Sequence, residues 1–390
     1  MPLKGTTPLG GARRGQIPPF IVMDVMRTAN ARAAAGRDIV HLEVGQPATP
    51  APRAVRDAAR DALASEPLGY TDACGLEPLR RRIAGHYRDT YGVTVDWRRV
   101  VVTTGSSGAF ILGFLAAFDA GDRVAVTTPG YPAYRNILRA LDVDVVMVPT
   151  TAASGYQPRL DDLDALVPAV RGLIAASPAN PTGSMLAGPD LSRLVKGCAE
   201  RGIRLISDEI YHGITYTMAA ATALAHGNDV IVVNSFSKYY SMTGWRLGWM
   251  VVPAPLMRAV ECLAQNLFIS PPALSQRAAI TAFDARDELD ANVRRYARNR
   301  DILLSGLPAA GLKSFAPADG AFYLYADVSA LTDDSAAYCR RMLDEAGVAA
   351  TPGIDFDLDR GRRFVRFSYA GSEPEMDDAI RRLAAWQRGT

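Results

Sequence analysis

From about residue 100 the chain alternates short β-branched runs with stretches of helical periodicity. The runs fall at 100–104, 123–128, 143–148, 173–177, 204–208 and 230–234, lengths suited to strands buried on both faces. Most intervals carry apolar positions at helical spacing, as at 109–118 and 190–201. This order predicts an α/β fold, a mainly parallel sheet sandwiched by helices. The next run, 247–252, follows too soon for a helical crossover, so it is expected as an antiparallel seventh strand. Beyond Pro271 the pattern changes to a long polar helix from about 275 to 304, strands near 322–326 and 364–369, and helices near 335–346 and 374–387. The expected organisation is an N-terminal arm and lid (1–38), a large α/β domain (39–274) and a smaller α+β domain (275–390).

Composition narrows the partners. The 390 residues are 48% hydrophobic and 22% charged, which excludes a disordered or fibrous chain. Lys+Arg 43 against Asp+Glu 41 leaves +2, no field for nucleic acid or an anionic membrane. Small molecules or a second protein chain are the expected partners. Cys74, Cys198, Cys262 and Cys339 form no C-x-x-C pair, so neither a metal cluster nor a disulfide framework is expected, and a reducing cytoplasm is the expected home. The first twenty residues lack the apolar core of a signal peptide. The longest apolar run, 109–118, is too short to cross a bilayer.

Candidate chemistry gathers after the strands, where open parallel sheets bind ligands. Gly105-Ser106-Ser107-Gly108 follows the first run and precedes a helix, an arrangement that offers free N–H groups to an anion. Asp208 closes an apolar strand, and Glu209 and His212 make an E-x-x-H spacing without the second copy that carboxylate metal sites use. Only Lys4, Lys196, Lys238 and Lys313 are lysine. Lys238 lies in the hydroxyl-rich stretch 234–246 between two apolar strands, and only an amine forms a Schiff base. Arg366 interrupts another apolar strand, Arg363-Phe364-Val365-Arg366-Phe367. A buried arginine needs an anion, either an internal acid or the carboxylate of a ligand.

Together, Ser177-Pro178-Ala179-Asn180-Pro181-Thr182-Gly183, Asp208-Glu209-Ile210-Tyr211, Ser235-Phe236-Ser237-Lys238 with Met242-Thr243-Gly244-Trp245-Arg246, and Arg366 resemble the fold-type I aminotransferases that use pyridoxal 5′-phosphate. The closest likeness is to the prokaryotic aspartate aminotransferase subgroup, and it runs from about Ile39 to the C-terminus. The resemblance implies that Lys238 carries the cofactor as a Schiff base and shuttles the substrate proton. Asp208 would pair with the pyridine nitrogen, Tyr211 and Asn180 would bond the ring's phenolic oxygen, and Tyr131 would stack on the ring. Ser106, Ser107, Ser235, Ser237 and Arg246 would hold the phosphate. Tyr70 would reach it across a homodimer interface. Arg366 would grip the substrate α-carboxylate, assisted by Asn180 and the backbone of Gly45.

The implied activity is transfer of the amino group of an L-α-amino acid to a 2-oxo acid by a ping-pong mechanism, without a metal. A C–S lyase, decarboxylase or racemase on the same fold is the alternative. A serine hydrolase built on Ser106 or Ser107 needs a late histidine, and only His212 and His226 follow them. An effector-binding half of a transcriptional regulator needs an added DNA-binding domain, for which the segment before Ile39 is too short. In the family an N-terminal segment closes over the substrate, here 18–23. Phe20 and Ile21 stand where dicarboxylate-specific relatives place small hydroxyl residues. Apolar or aromatic donors, with 2-oxoglutarate or pyruvate as acceptor, are therefore expected to serve at least as well as aspartate.

Overall fold

The computed structural model describes residues 10–389; Lys4 and the start of the N-terminal arm lie outside them. A seven-stranded sheet forms the main body, in the spatial order Val100–Thr103, Gly248–Val251, Ile231–Ser235, Arg204–Asp208, Gly172–Ala176, Arg123–Thr128 and Asp144–Pro149. Gly248–Val251 runs antiparallel to both neighbours, and the other adjacent pairs are parallel. The expected strands thus form within one or two residues of their predicted ends. Because the seventh is reversed, its first residue, Gly248, lies opposite both Thr103 and Ser235. The start of that strand therefore joins the carboxyl ends of its neighbours, and so does Arg246 just before it.

Apolar residues fill both faces of the sheet. Val100, Val102, Leu173, Leu205, Val232 and Val251 pack into one cluster, and Val101, Val124, Ile174, Ile206, Val233 and Met250 into the opposite one. This alternation puts successive side chains on opposite faces, and both sets are buried beneath helices. The helix Gly105–Ala117 buries Phe110, Leu112 and Phe114 together with its glycines. It begins four residues before the expected helical stretch, so Gly105-Ser106-Ser107 forms its first turn rather than a separate loop.

The C-terminal part contains a four-stranded sheet, ordered Thr351–Pro352, Phe364–Ser368, Tyr323–Asp327 and Ser314–Phe315. Val40–His41 pairs in parallel with Val348–Ala349, and Leu42 accepts the Ser368 N–H at 2.7 Å, so this stretch packs with the C-terminal elements. The single long helix expected at 275–304 is instead broken into Ala273–Ala279, a 3-10 segment Ile280–Asp284, and Arg286–Gly306. No glycine or proline marks the break. Phe283 explains it: its ring lies 5.5 Å from Phe236 and 5.2 Å from Tyr240, a position gained by leaving the helical path. Asp287 and Glu288 then suit the positive end of the next helix. Among the described residues no helix is long and apolar enough to cross a membrane.

Candidate active site

The strand ends converge on a cavity of ≈ 510 Å³. Its lining includes Ser106, Ser107, Tyr131, Asn180, Asp208, Tyr211, Ser237, Lys238, Arg246, Arg366 and Gly45. Eleven of the thirteen residues singled out from the sequence are thus brought together. Ser235 is buried behind the cavity, where its hydroxyl contacts Ser237 Oγ at 2.9 Å and the Leu247 carbonyl at 3.0 Å, and so orders the loop that presents Ser237. Tyr70 is 88% exposed and outside the cavity of its own chain.

Lys238 Nζ donates to the Gly45 carbonyl at 2.6 Å. Burial, reinforced by Arg366 and Arg246, pushes its amine down to about 8 against the pull of Asp208. Asp208 is 3% exposed. Burial pushes its carboxyl up to about 6, opposed by the Tyr134 hydroxyl, the Ile210 N–H at 3.0 Å and Lys238. Tyr211 Oη meets Tyr323 Oη at 2.7 Å.

Arg366 is only 2% exposed, and the acceptors it meets are neutral. Nη1 donates to Asn180 Oδ1 at 2.9 Å, Nη2 to the Glu43 carbonyl and, at 3.4 Å, to Thr351 Oγ1. Nε has no partner. The guanidinium packs against the rings of Tyr323 and Phe356, 4.3 and 4.7 Å from their centroids, contacts that ease its burial without neutralising it. Gly45 is required here, since a Cβ on it would lie 1.6 Å from Tyr323 Oη.

An anion cradle lies at the other end. The helix Gly105–Ala117 has no side-chain cap, so its first N–H groups are free for a ligand. Gly105 adopts φ +71, and a Cβ there would come within 2.5 Å of Arg246 Nη2. Glycine thereby lets the guanidinium pack against the helix start. Arg246 itself makes one bond, Nη1 to the Thr243 carbonyl at 3.1 Å.

The E-x-x-H pair is committed to the interior. Glu209 Oε1 accepts from Ala223 N at 2.8 Å and Thr222 Oγ1 at 3.2 Å, and burial pushes the carboxyl up to about 8. His212 bonds the Ser177 carbonyl at 3.0 Å and Tyr91 Oη at 2.8 Å, and burial drives it down to about 3. With both ring nitrogens engaged, it is not positioned as a base for Ser106 or Ser107.

Sequence reasoning missed Tyr134, Tyr323 and part of the lid. Tyr134 lies one helical turn after Tyr131, a spacing that signals a shared face. Tyr323 gave no comparable signal in its aromatic strand. Phe20, Val22, Met23 and Met26 line the cavity but Ile21 does not, because the lid is a helix, Ile21–Ala34, and turns its first side chain away.

This fold and this site define a fold-type I aminotransferase. The chain belongs to the family Aminotransferase class I and II, whose sequence pattern matches residues 37–383; that family uses pyridoxal phosphate. A valine–pyruvate aminotransferase of Mycobacterium tuberculosis is 50% identical over 379 residues, 96% of this chain and 98% of that one. An aspartate/prephenate aminotransferase of Thermus thermophilus is 34% identical over 358 residues, 90% of this chain and 91% of that one. A crystal structure of an aminotransferase from Mycobacterium tuberculosis matches with a TM-score of 0.96 at 49% identity, covering 98% of this chain and 100% of that one.

The electrostatics make one prediction. The ammonium form of Lys238 is disfavoured, so the free amine predominates above about pH 8 rather than above the ordinary 10.5. In protein stripped with hydroxylamine, acetic anhydride should label Lys238 with a pH midpoint near 8, read by peptide mass spectrometry. A midpoint near 10 would contradict the electrostatic environment described.

Proposed function

We propose that this aminotransferase holds pyridoxal 5′-phosphate on Lys238 and passes the amino group of an apolar L-α-amino acid of about valine's size to a 2-oxo acid such as pyruvate. One observation carries the reading: three cations, Lys238, Arg246 and Arg366, line one cavity with a single carboxylate, Asp208. That excess of positive charge around one cavity, with Arg366 fully buried, suits a phosphate dianion and a substrate carboxylate. The residues present therefore fit the group.

When bound, pyridoxal phosphate supplies an electron sink for negative charge at the donor Cα. Lys238 would provide the amine for attachment and would move the proton at the donor Cα. Asp208, fixed by Tyr134 and Ile210, would pair with a protonated ring nitrogen, and that positive charge would favour the ionised carboxylate. Ser106, Ser107, Ser237 and Arg246 would hold the phosphate, with Ser235 ordering the loop that presents Ser237. Tyr211 and Asn180 would donate to the phenolic oxygen, and Tyr131 would pack on the ring. Arg366 turns its unpartnered Nε and the rest of its fork to the donor carboxylate, while Gly45 leaves room beside it.

Donor choice follows from the remaining lining. Phe20, Val22, Met23, Met26 and Val44 are apolar, and the cations among the lining residues are the three already assigned. A second carboxylate there would be desolvated without a partner. The valine–pyruvate relative supports the same choice. We further propose a homodimer, supported by the exposed Tyr70, and a cytoplasmic home, supported by four free cysteines.

Three outcomes are expected. Asp208→Asn should retain the cofactor's absorbance yet lose at least about 100-fold in kcat, because a neutral amide cannot stabilise the ring cation; transamination near the parent rate would assign that role elsewhere. In single-turnover spectra across a panel of amino acids, valine and leucine should react faster than aspartate, and the reverse order would overturn the donor assignment. Sedimentation should give a dimer, with Tyr70→Phe raising the cofactor's Kd about tenfold through a lost bond to a charged group. A fully active monomer would contradict the shared site.

A further inference from the structure

We propose that Asp355 is a positioning residue for donor selection, latching the lid helix onto the segment that underlies Arg366. The lid helix Ile21–Ala34 has no side-chain cap of its own, since Phe20 occupies the cap position. Its first donors are taken instead from far along the chain. Asp355 Oδ1 accepts the Ile21 N–H at 3.2 Å and Oδ2 the Val22 N–H at 3.1 Å. The carboxylate thus satisfies two orphan donors and complements the positive end of the helix.

The main chain around Asp355 is fixed from three sides. Its carbonyl accepts Arg135 Nη2 at 2.6 Å, and the Phe356 carbonyl accepts the Gly130 N–H at 3.0 Å. The Phe356 ring packs against the Arg366 guanidinium, and Thr351, earlier in the same segment, is opposite Arg366 in the sheet. Residues 351–356 therefore touch the lid, the turn that carries Tyr131, and the carboxylate fork. Phe20 and Val22, the lid residues nearest the latch, line the cavity, and Phe20 meets Tyr131 edge-on at 5.6 Å. Losing the latch leaves the first helical turn uncapped and free to fray, which withdraws apolar surface from the side-chain end of the site. The loss should grow with the donor side chain, because a larger group buries more area against the lid.

This inference rests on the reading that the lid meets the donor side chain, so two measurements keep the two apart. The first compares half-reaction kcat/KM for alanine and leucine in the holoenzyme, parent and Asp355→Ala. The leucine-to-alanine ratio should fall about tenfold, mainly through KM, with Asp355→Asn intermediate because its amide oxygen still accepts one N–H. An unchanged ratio, including an equal loss on both donors, would overturn the role in selection. The second is hydrogen exchange over Ile21–Ala34, which should speed up in Asp355→Ala while the strands of the main sheet keep their protection. Unchanged exchange in the lid would overturn the latch itself. Faster lid exchange with an unchanged ratio would keep the latch and discard its link to donor choice, and a parent enzyme that prefers aspartate would discard the donor reading alone.

Discussion

A guanidinium buried among neutral acceptors is the constraint around which the site is built. Arg366 has given up water, and its partners inside the protein are a carbonyl, an amide oxygen, a hydroxyl and two aromatic faces. A buried charge without a directly bonded counter-ion is costly, and Asp355, which Arg366 pulls toward its ionised form, offsets that cost only at a distance. The surrounding sheet tolerates this because Phe364–Ser368 is an inner strand, paired on both sides. The guanidinium is thereby held rigid, and an anion bound to it would remove a penalty the fold already carries. The same logic extends to Lys238, which burial, reinforced by neighbouring positive charge, biases toward the free amine.

Sheet topology makes this concentration of charge possible. Parallel strands deliver their following loops to one edge, and in this way Ser106, Tyr131, Asn180, Asp208 and Lys238 arrive together. Arg246 would fall at the opposite edge if its strand were parallel. The reversed strand Gly248–Val251 brings it to Gly105 and the free helix N-terminus instead. A short connection, which excludes a helical crossover, is therefore what completes the anion cradle.

Much of the site was legible in the sequence because its central residues conflict with their surroundings. Lys238, Asp208 and Arg366 are charges beside or within apolar strands, a contradiction visible in one dimension. Tyr134 and Tyr323 carry no such contradiction, since a tyrosine among aromatics is an ordinary core residue. Their roles depend on partners distant in the chain, 74 residues for Tyr134 with Asp208 and 112 for Tyr323 with Tyr211. Asp355 lies 334 residues from the N–H it accepts, and nothing local distinguishes it from a turn aspartate. The break before Arg286 was hidden for the same reason: Phe283 is drawn out of the helix by a distant aromatic cluster, not by a residue that disfavours helix. Fold class follows from local pattern, whereas second partners are set by the closed chain.

Two kinds of recognition meet in this cavity, and they differ in how firmly they are held. Arg366 is on an inner strand, fixed by a ladder of hydrogen bonds and packed against two aromatic rings. The lid is a helix near the N-terminus, tied at its first turn and facing the cavity with two methionines, whose unbranched side chains adapt to irregular shapes. A rigid fork suits the group that all α-amino acids share. An adaptable apolar helix would suit the part that varies, since misfit there costs contact area rather than an unpaired charge. Separating the invariant contact from the variable one allows a single geometry at Cα to be kept while donor and acceptor alternate, as a ping-pong transamination requires.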